Sequence, residues 1–140
     1  MKDISKHISY DEATLSPTSK RYEIENTPTE SQLERMKEVA ESCFEPLREW
    51  YDKPIKVNSF FRCTLLNEKV GGSTNSQHAK GEAIDMSGGS KEENKKIFEW
   101  CKANLIWDQL IWEYGDDSGP HWVHISFSKG QNRNQVIRIK

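Results

Sequence analysis

The spacing of apolar residues between positions 30 and 51 constrains the fold of this chain more than any other feature. These residues recur at three- and four-residue steps, which predicts an amphipathic helix with one buried face. Thr29 and Gln32 have the spacing of a capping box at its start, and Pro46 should kink or split it near Glu45. The apolar positions are Leu33, Met36, Val39, Ala40, Cys43, Phe44 and Leu47.

The segments that follow are shorter, and most of them alternate or are rich in β-branched and aromatic residues, as strands are. A short helix should end at Gly71 and Gly72, and Ser90 and Glu93 repeat the capping-box spacing before another helix. Helices come first and strands later, which predicts an α+β fold: an antiparallel sheet of about four strands with helices packed against it. The candidate strands are "IKVNSFF", "EAIDMS", "DQLIWEY", "HWVHISF" and, at the end of the chain, "NQVIRIK".

Composition and charge limit the class of protein. A length of 140 residues predicts a single domain over residues 1–140, and a net charge of −2 indicates no nucleic-acid or membrane partner. No apolar run approaches the roughly 20 residues of a membrane span, and the N-terminus lacks a secretory signal, so we expect synthesis in the cytoplasm. Cys43, Cys63 and Cys101 form no CxxC pair, so we expect buried reduced thiols and no cysteine zinc site.

The stretch "TNSQHAKGEAIDMSGG" places His78 and Asp85 seven positions apart, with Gly81 between them. Imidazole nitrogen and carboxylate oxygen are ligands that zinc accepts, and a turn at the glycine would fold the histidine back toward the carboxylate. A third ligand is then needed, and "HWVHIS" supplies His121 and His124. Residues three apart on a strand face opposite ways, so one of this pair should bind the metal. The alternative is an ordinary hydrogen bond between a histidine and an aspartate.

The same residues carry a resemblance to a known family. "SQHAKGEAID" resembles the SxHxxGxAxD motif of the zinc D-alanyl-D-alanine carboxypeptidase family, which includes phage endolysins that cleave the L-alanyl-D-glutamate bond of peptidoglycan. The similarity extends through "VNSFFRCTLLNEKVGG" and "DQLIWEY" to "WVHIS", and it covers nearly the whole chain. Matches to the motif stand at Ser76, His78, Gly81, Ala83 and Asp85.

The resemblance implies roles for particular residues. His78, Asp85 and His124 would hold one zinc ion in a cleft on the sheet. Arg62 matches the family arginine that binds a substrate carbonyl or carboxylate, with a surface salt bridge as the alternative. Ser76 matches a serine that contacts substrate, with capping of a turn as the alternative.

The general base has two candidates. Many relatives carry an acidic residue three positions before the last histidine ligand, and here that position is His121. Glu113 is the nearest acidic alternative and the preferred one, with His121 as base or as a donor in the transition state. Asp116 and Asp117 are expected to be solvated. Three tryptophans could line the cleft or lie in the core: Trp107, Trp112 and Trp122.

The predicted function is a zinc metallopeptidase that cuts peptidoglycan stem peptides, as a carboxypeptidase or an endopeptidase, of the kind found in phage or prophage lysins. A monomer is expected, and a holin or a virion would deliver the enzyme to the cell wall. One alternative is a zinc- or wall-binding module without catalysis, which only the histidine at position 121 supports. A structural domain with fortuitous histidine and aspartate pairings is the other.

Overall fold

A computed structural model describes residues 3–73 and 76–140, which form an α+β fold with a five-stranded sheet. None of the described helices is long and apolar enough to cross a membrane. The helices are α1 (Tyr10–Thr14), α2 (Pro17–Arg21), α3 (Glu30–Val39), α4 (Glu45–Tyr51), α5 (Thr64–Lys69) and α6 (Lys91–Asn104), with a π-helical turn (Ala40–Phe44) and a 3₁₀ turn (Gln77–Lys80). The strands are β1 (Lys56–Ser59), β2 (Ala83–Ser87), β3 (Gln109–Glu113), β4 (Trp122–Ser126) and β5 (Gln135–Ile139).

The predicted amphipathic helix forms and is divided as its sequence indicates. The hydroxyl of Thr29 accepts from the Gln32 amide at 3.2 Å, and the Gln32 side chain accepts from the Thr29 amide at 2.8 Å. A π-helical turn ends where α4 begins, and Pro46 lies in the first turn of α4, where its missing N–H costs least. The apolar face is buried from Met36 to Leu47.

The capping pattern before α6 is only half realised. The Ser90 hydroxyl accepts from the Glu93 amide at 3.2 Å, as a helix N-cap does. The carboxylate of Glu93, however, accepts from the Tyr51 hydroxyl at 2.6 Å and from Lys53 and Lys96. A tertiary partner on α4 has therefore replaced the local bond of a capping box.

The sheet order is β1-β2-β4-β3-β5, and the prediction of about four antiparallel strands is wrong in number and in direction. The first three pairings are antiparallel, but β5 runs parallel to β3. Strand β4 ends beside the start of β3, with Ile125 opposite Leu110. The loop between β4 and β5 therefore only has to cross the start of β3. The last strand then follows β3 in the same direction, with Gln109 beside Gln135.

Alternation along the strands divides the sheet into two faces. Leu110 and Trp112 of β3 and Val123 and Ile125 of β4 belong to the core, against which α3, α4 and α6 pack. The residues between them, such as Ile111 and His124, line a cavity on the other face. Trp107 and Trp112 are thus core residues, while Trp122 lines the cavity.

The cysteines and the turn acids lie close to their expected places. Cys43 and Cys101 are buried and free, and burial raises the pKa of the Cys43 thiol to about 12, which keeps it protonated. Cys63 is also free but only half-buried.

Asp116 and Asp117 are exposed, and each makes an ion pair at the surface, with Lys91 and Arg138 respectively.

Leu110→Ala should lower the free energy of unfolding by about 2–5 kcal/mol, because this fully buried side chain would leave a cavity under the sheet. Val136 is its register partner on β5 and is 45% exposed, so Val136→Ala is the matched control. Urea denaturation of both variants measures the difference. Equal losses would contradict the assignment of Leu110 to the buried core and of Val136 to the exposed edge of the sheet.

Candidate metal centre

The position of His78 depends on the turn that contains it. The 3₁₀ turn ends at Gly81, which has φ +78° and whose amide bonds back to the carbonyl of residue 78. A side chain at Gly81 would bring a Cβ to 2.7 Å from the Gln32 carbonyl of α3. Only glycine satisfies both the left-handed backbone and this close approach, so the predicted turn is confirmed.

Asp85 and His124 are brought together by the pairing of two strands. They are register partners on β2 and β4, and both side chains point to the face opposite the core. His121 precedes β4 and is exposed, and its backbone amide bonds to the Glu113 carbonyl at 2.9 Å. The histidine that lies beside Asp85 is therefore the second of the "HWVHIS" pair.

The three side chains form a compact cluster. Nε2 of His78 lies 3.1 Å from Oδ2 of Asp85, and Nδ1 of His124 lies 3.0 Å from Oδ1 of the same carboxylate. One potential metal-ligand atom from each residue lies within 4.8 Å of those of the other two. Both histidines are buried, so the cluster is largely shielded from solvent. Within the part of the chain described, these three are the acidic, histidine or cysteine side chains grouped closely enough to hold a metal ion.

The hydrogen bonds of His78 indicate that a cation belongs between these groups. Its Nδ1 lies 2.8 Å from the Phe60 carbonyl, which only accepts, so Nδ1 carries the proton. Without a second proton on the ring, Nε2 would turn its lone pair toward the Asp85 carboxylate, which also only accepts. Two acceptors at this distance require a second proton or a metal ion between them.

Two further observations fit a divalent metal. Nε2 of His124 is buried and lacks a hydrogen-bond partner among the described residues. Burial raises the pKa of Asp85, but the charge on His78 and the hydrogen bonds from both histidines outweigh burial and hold that pKa well below its usual range. The carboxylate therefore stays ionised, and two nitrogens with one anionic oxygen are a donor set that zinc accepts.

The cluster opens into a cavity of about 610 Å³ that also contains most of the other predicted residues. Arg62, Ser76 and Glu113 line it, whereas His121 does not. The Ser76 hydroxyl accepts from the His78 amide at 3.2 Å, so its capping role is present together with its place in the cavity.

Arg62 and Glu113 have the electrostatics of partly buried functional groups. Nε of Arg62 is buried without a hydrogen-bond partner, and the residue makes no ion pair within residues 3–73 and 76–140. Burial lowers its pKa, although the charges of Asp85 and Glu113 oppose this. Burial and the Asp85 charge raise the pKa of the Glu113 carboxyl.

Sequence reasoning missed several residues of this cavity. Gln77 lines the cavity and directly precedes the predicted ligand His78, and this position in the sequence is the signal that could have identified it. Arg133 and Ile139 line the cavity from the loop before β5 and from β5 itself. They could not be found while the last strand was assigned to an antiparallel sheet, because only its parallel pairing with β3 brings them to the cavity.

Known proteins resemble this chain over part or most of its length. Residues 6–126 match the sequence model of the family described as Peptidase M15. A zinc D-Ala-D-Ala carboxypeptidase of Streptomyces albus G is 50% identical over 40 residues, which are 29% of this chain and 16% of that protein. The match thus spans about a sixth of the length of this curated relative.

Glu113 should titrate above the ordinary range of a glutamate in the metal-free chain, since burial and the Asp85 charge both favour its neutral form. A zinc ion in the cluster would reverse the effect of the Asp85 charge and shift the midpoint downward. Carboxyl ¹³C NMR of the metal-free chain, before and after adding zinc, measures both midpoints. A metal-free midpoint at or below the ordinary value would contradict the described environment.

Proposed function

The chain belongs to the peptidase M15 family, and we propose that it is a zinc peptidase that hydrolyses peptide bonds in the stem peptides of peptidoglycan. The observation that carries the proposal is the cluster of His78, Asp85 and His124, which opens into a cavity large enough for a peptide segment. The name of the albus G relative gives one candidate bond, between two D-alanines. The L-alanyl-D-glutamate bond is the other candidate.

One zinc ion would be held by His78, Asp85 and His124. Three protein ligands leave a coordination position for water or substrate, as in catalytic zinc sites. Bound zinc supplies Lewis-acid chemistry: it polarises a carbonyl and makes water easier to deprotonate near neutral pH. The Phe60 carbonyl fixes the tautomer of His78 so that Nε2 is the ligand atom.

Arg62 is suited to bind the substrate oxygen on which negative charge develops. Its guanidinium is half-buried in the cavity wall and has an Nε–H donor that no described residue accepts. A donor held away from water stabilises an oxyanion more than a solvated one does, because the local dielectric is low. We assign this role to Arg62 and contact with the substrate backbone to Ser76.

Glu113 is our candidate for the general base. It lines the cavity, and burial raises its pKa, which makes its carboxylate a stronger proton acceptor than a solvated glutamate. It would take a proton from the attacking water and return one to the departing amine nitrogen. His121 is exposed and outside the cavity lining, which makes it the weaker candidate.

Purified chain should bind one zinc ion per molecule, and His124→Ala should abolish stoichiometric binding because one of three ligands is lost. Zinc at 100 times its Kd should stabilise the wild-type chain by about 2.7 kcal/mol, and this gain should vanish in the variant. Metal analysis and the zinc-induced change in melting temperature measure this. His121→Ala is the matched control, and loss of zinc from that variant would contradict the ligand assignment.

Mass spectrometry of digested muropeptides tests the activity and names the bond that is cut. The wild-type chain should release one defined peptide product, and Glu113→Gln should lower kcat by about 10²–10⁴-fold with zinc still bound, because proton transfer is lost. His121→Gln should keep most of the activity. Full turnover in Glu113→Gln would reject that residue as base. Bound zinc with no cleavage of any muropeptide would instead favour a binding module.

A further inference from the structure

Asp108 is a buried carboxylate outside the three-residue cluster, and it joins two distant parts of the chain. It immediately precedes β3 and is 3% exposed. Its Oδ1 accepts from the amide and Nε of Arg133 at 2.8 and 2.9 Å. Its Oδ2 accepts from Nη2 of Arg133 at 2.8 Å and from Nε2 of Gln77 at 2.5 Å. The hydrogen bond from Arg133 is the main cause that keeps the pKa of Asp108 low, so the acceptor is an anion.

The bond to Gln77 matters because that residue begins the 3₁₀ turn and directly precedes His78. The Gln77 carbonyl accepts from the Glu82 amide at 2.9 Å, which connects the start of the turn to the approach of β2. On the far side of the turn, Gln32 donates to the Ala79 carbonyl at 3.2 Å. The side of the turn next to His78 is held to the sheet through the contact between Gln77 and Asp108.

We propose that Asp108 is a positioning residue for the zinc ligand His78 and acts through the side-chain amide of Gln77. The inference rests on the proposed zinc site. A charge-assisted hydrogen bond is stronger than a neutral one, so Asp108 restrains the turn more firmly than an uncharged acceptor would. Zinc requires its ligand atoms within a few tenths of an ångström of fixed distances, so residues that hold the ligands contribute to metal affinity.

The same carboxylate has a second and separate role toward Arg133. The two-point contact with that guanidinium attaches the loop before β5 to the start of β3. This part of the network contributes to folding, whereas the Gln77 part contributes to the ligand. Variants of Gln77 and Arg133 therefore separate positioning of the metal ligand from ordinary stability.

Zinc affinity, measured by competition with a chromophoric chelator on folded protein, tests the inference. Gln77→Met keeps the length of the side chain but removes its donor, and it should weaken zinc binding about tenfold. Asp108→Asn should weaken binding by a similar factor, and the double variant should be no weaker than either single one. Arg133→Lys keeps a positive charge beside Asp108 but loses the two-point contact, so it should lower the melting temperature of the metal-free chain and keep zinc affinity within about twofold.

The outcomes separate the inference from the proposed function. If Gln77→Met binds zinc as tightly as the wild-type chain, or if the two substitutions weaken binding additively, the positioning role is rejected while the zinc site stands. If Asp108→Asn does not fold, Gln77→Met and Arg133→Lys still decide the question. A wild-type chain that binds no zinc overturns the proposed function and this inference with it.

Discussion

The antiparallel pairing of β2 with β4 is the constraint on which the rest of the structure depends. It places Asp85 directly opposite His124, and in the same register it places Met86 opposite Val123 in the core. A slip by one residue would exchange the two faces and put the carboxylate into the apolar interior, where an unpaired charge is very costly. The same strand register therefore buries the apolar side chains and assembles the candidate metal centre.

The cluster is assembled from groups that would be unfavourable to bury separately. The carboxylate of Asp85 is largely buried, and a ring nitrogen of one histidine lies next to each of its two oxygens. In the metal-free chain, compensation of the carboxylate charge requires protonated imidazoles. A bound divalent cation would compensate the same charge while both imidazoles stay neutral. Burial, which is expensive for each group alone, thus favours a bound cation. The glycine turn before β2 and the Phe60 carbonyl hold His78 in the orientation that this requires.

Helices and turns that depend on interactions between residues close in the chain could be predicted from the sequence. The helix over residues 30 to 51 follows from its apolar spacing, its capping box and its proline, all of which act within a few residues. Strand alternation indicated that one of the "HWVHIS" histidines would face the metal, and resemblance to a family identified it as His124. The direction of β5, and the cavity residues that it brings, could not be predicted in this way. Alternation within one strand shows which side chains share a face of the sheet. It does not show which strand lies beside it or in which direction that strand runs.

The sequence by itself determined the helices that cover the sheet and the turn that carries His78, because spacing, capping and the position of the glycine are short-range properties of the chain. Only the tertiary structure decided that Glu113 lies in the cavity while His121 lies outside it. It also decided that Asp108 contacts both the ligand-bearing turn and the loop before β5. These contacts join residues 25 and 31 positions apart, and such distances are closed by strand pairing and core packing, which no local pattern specifies.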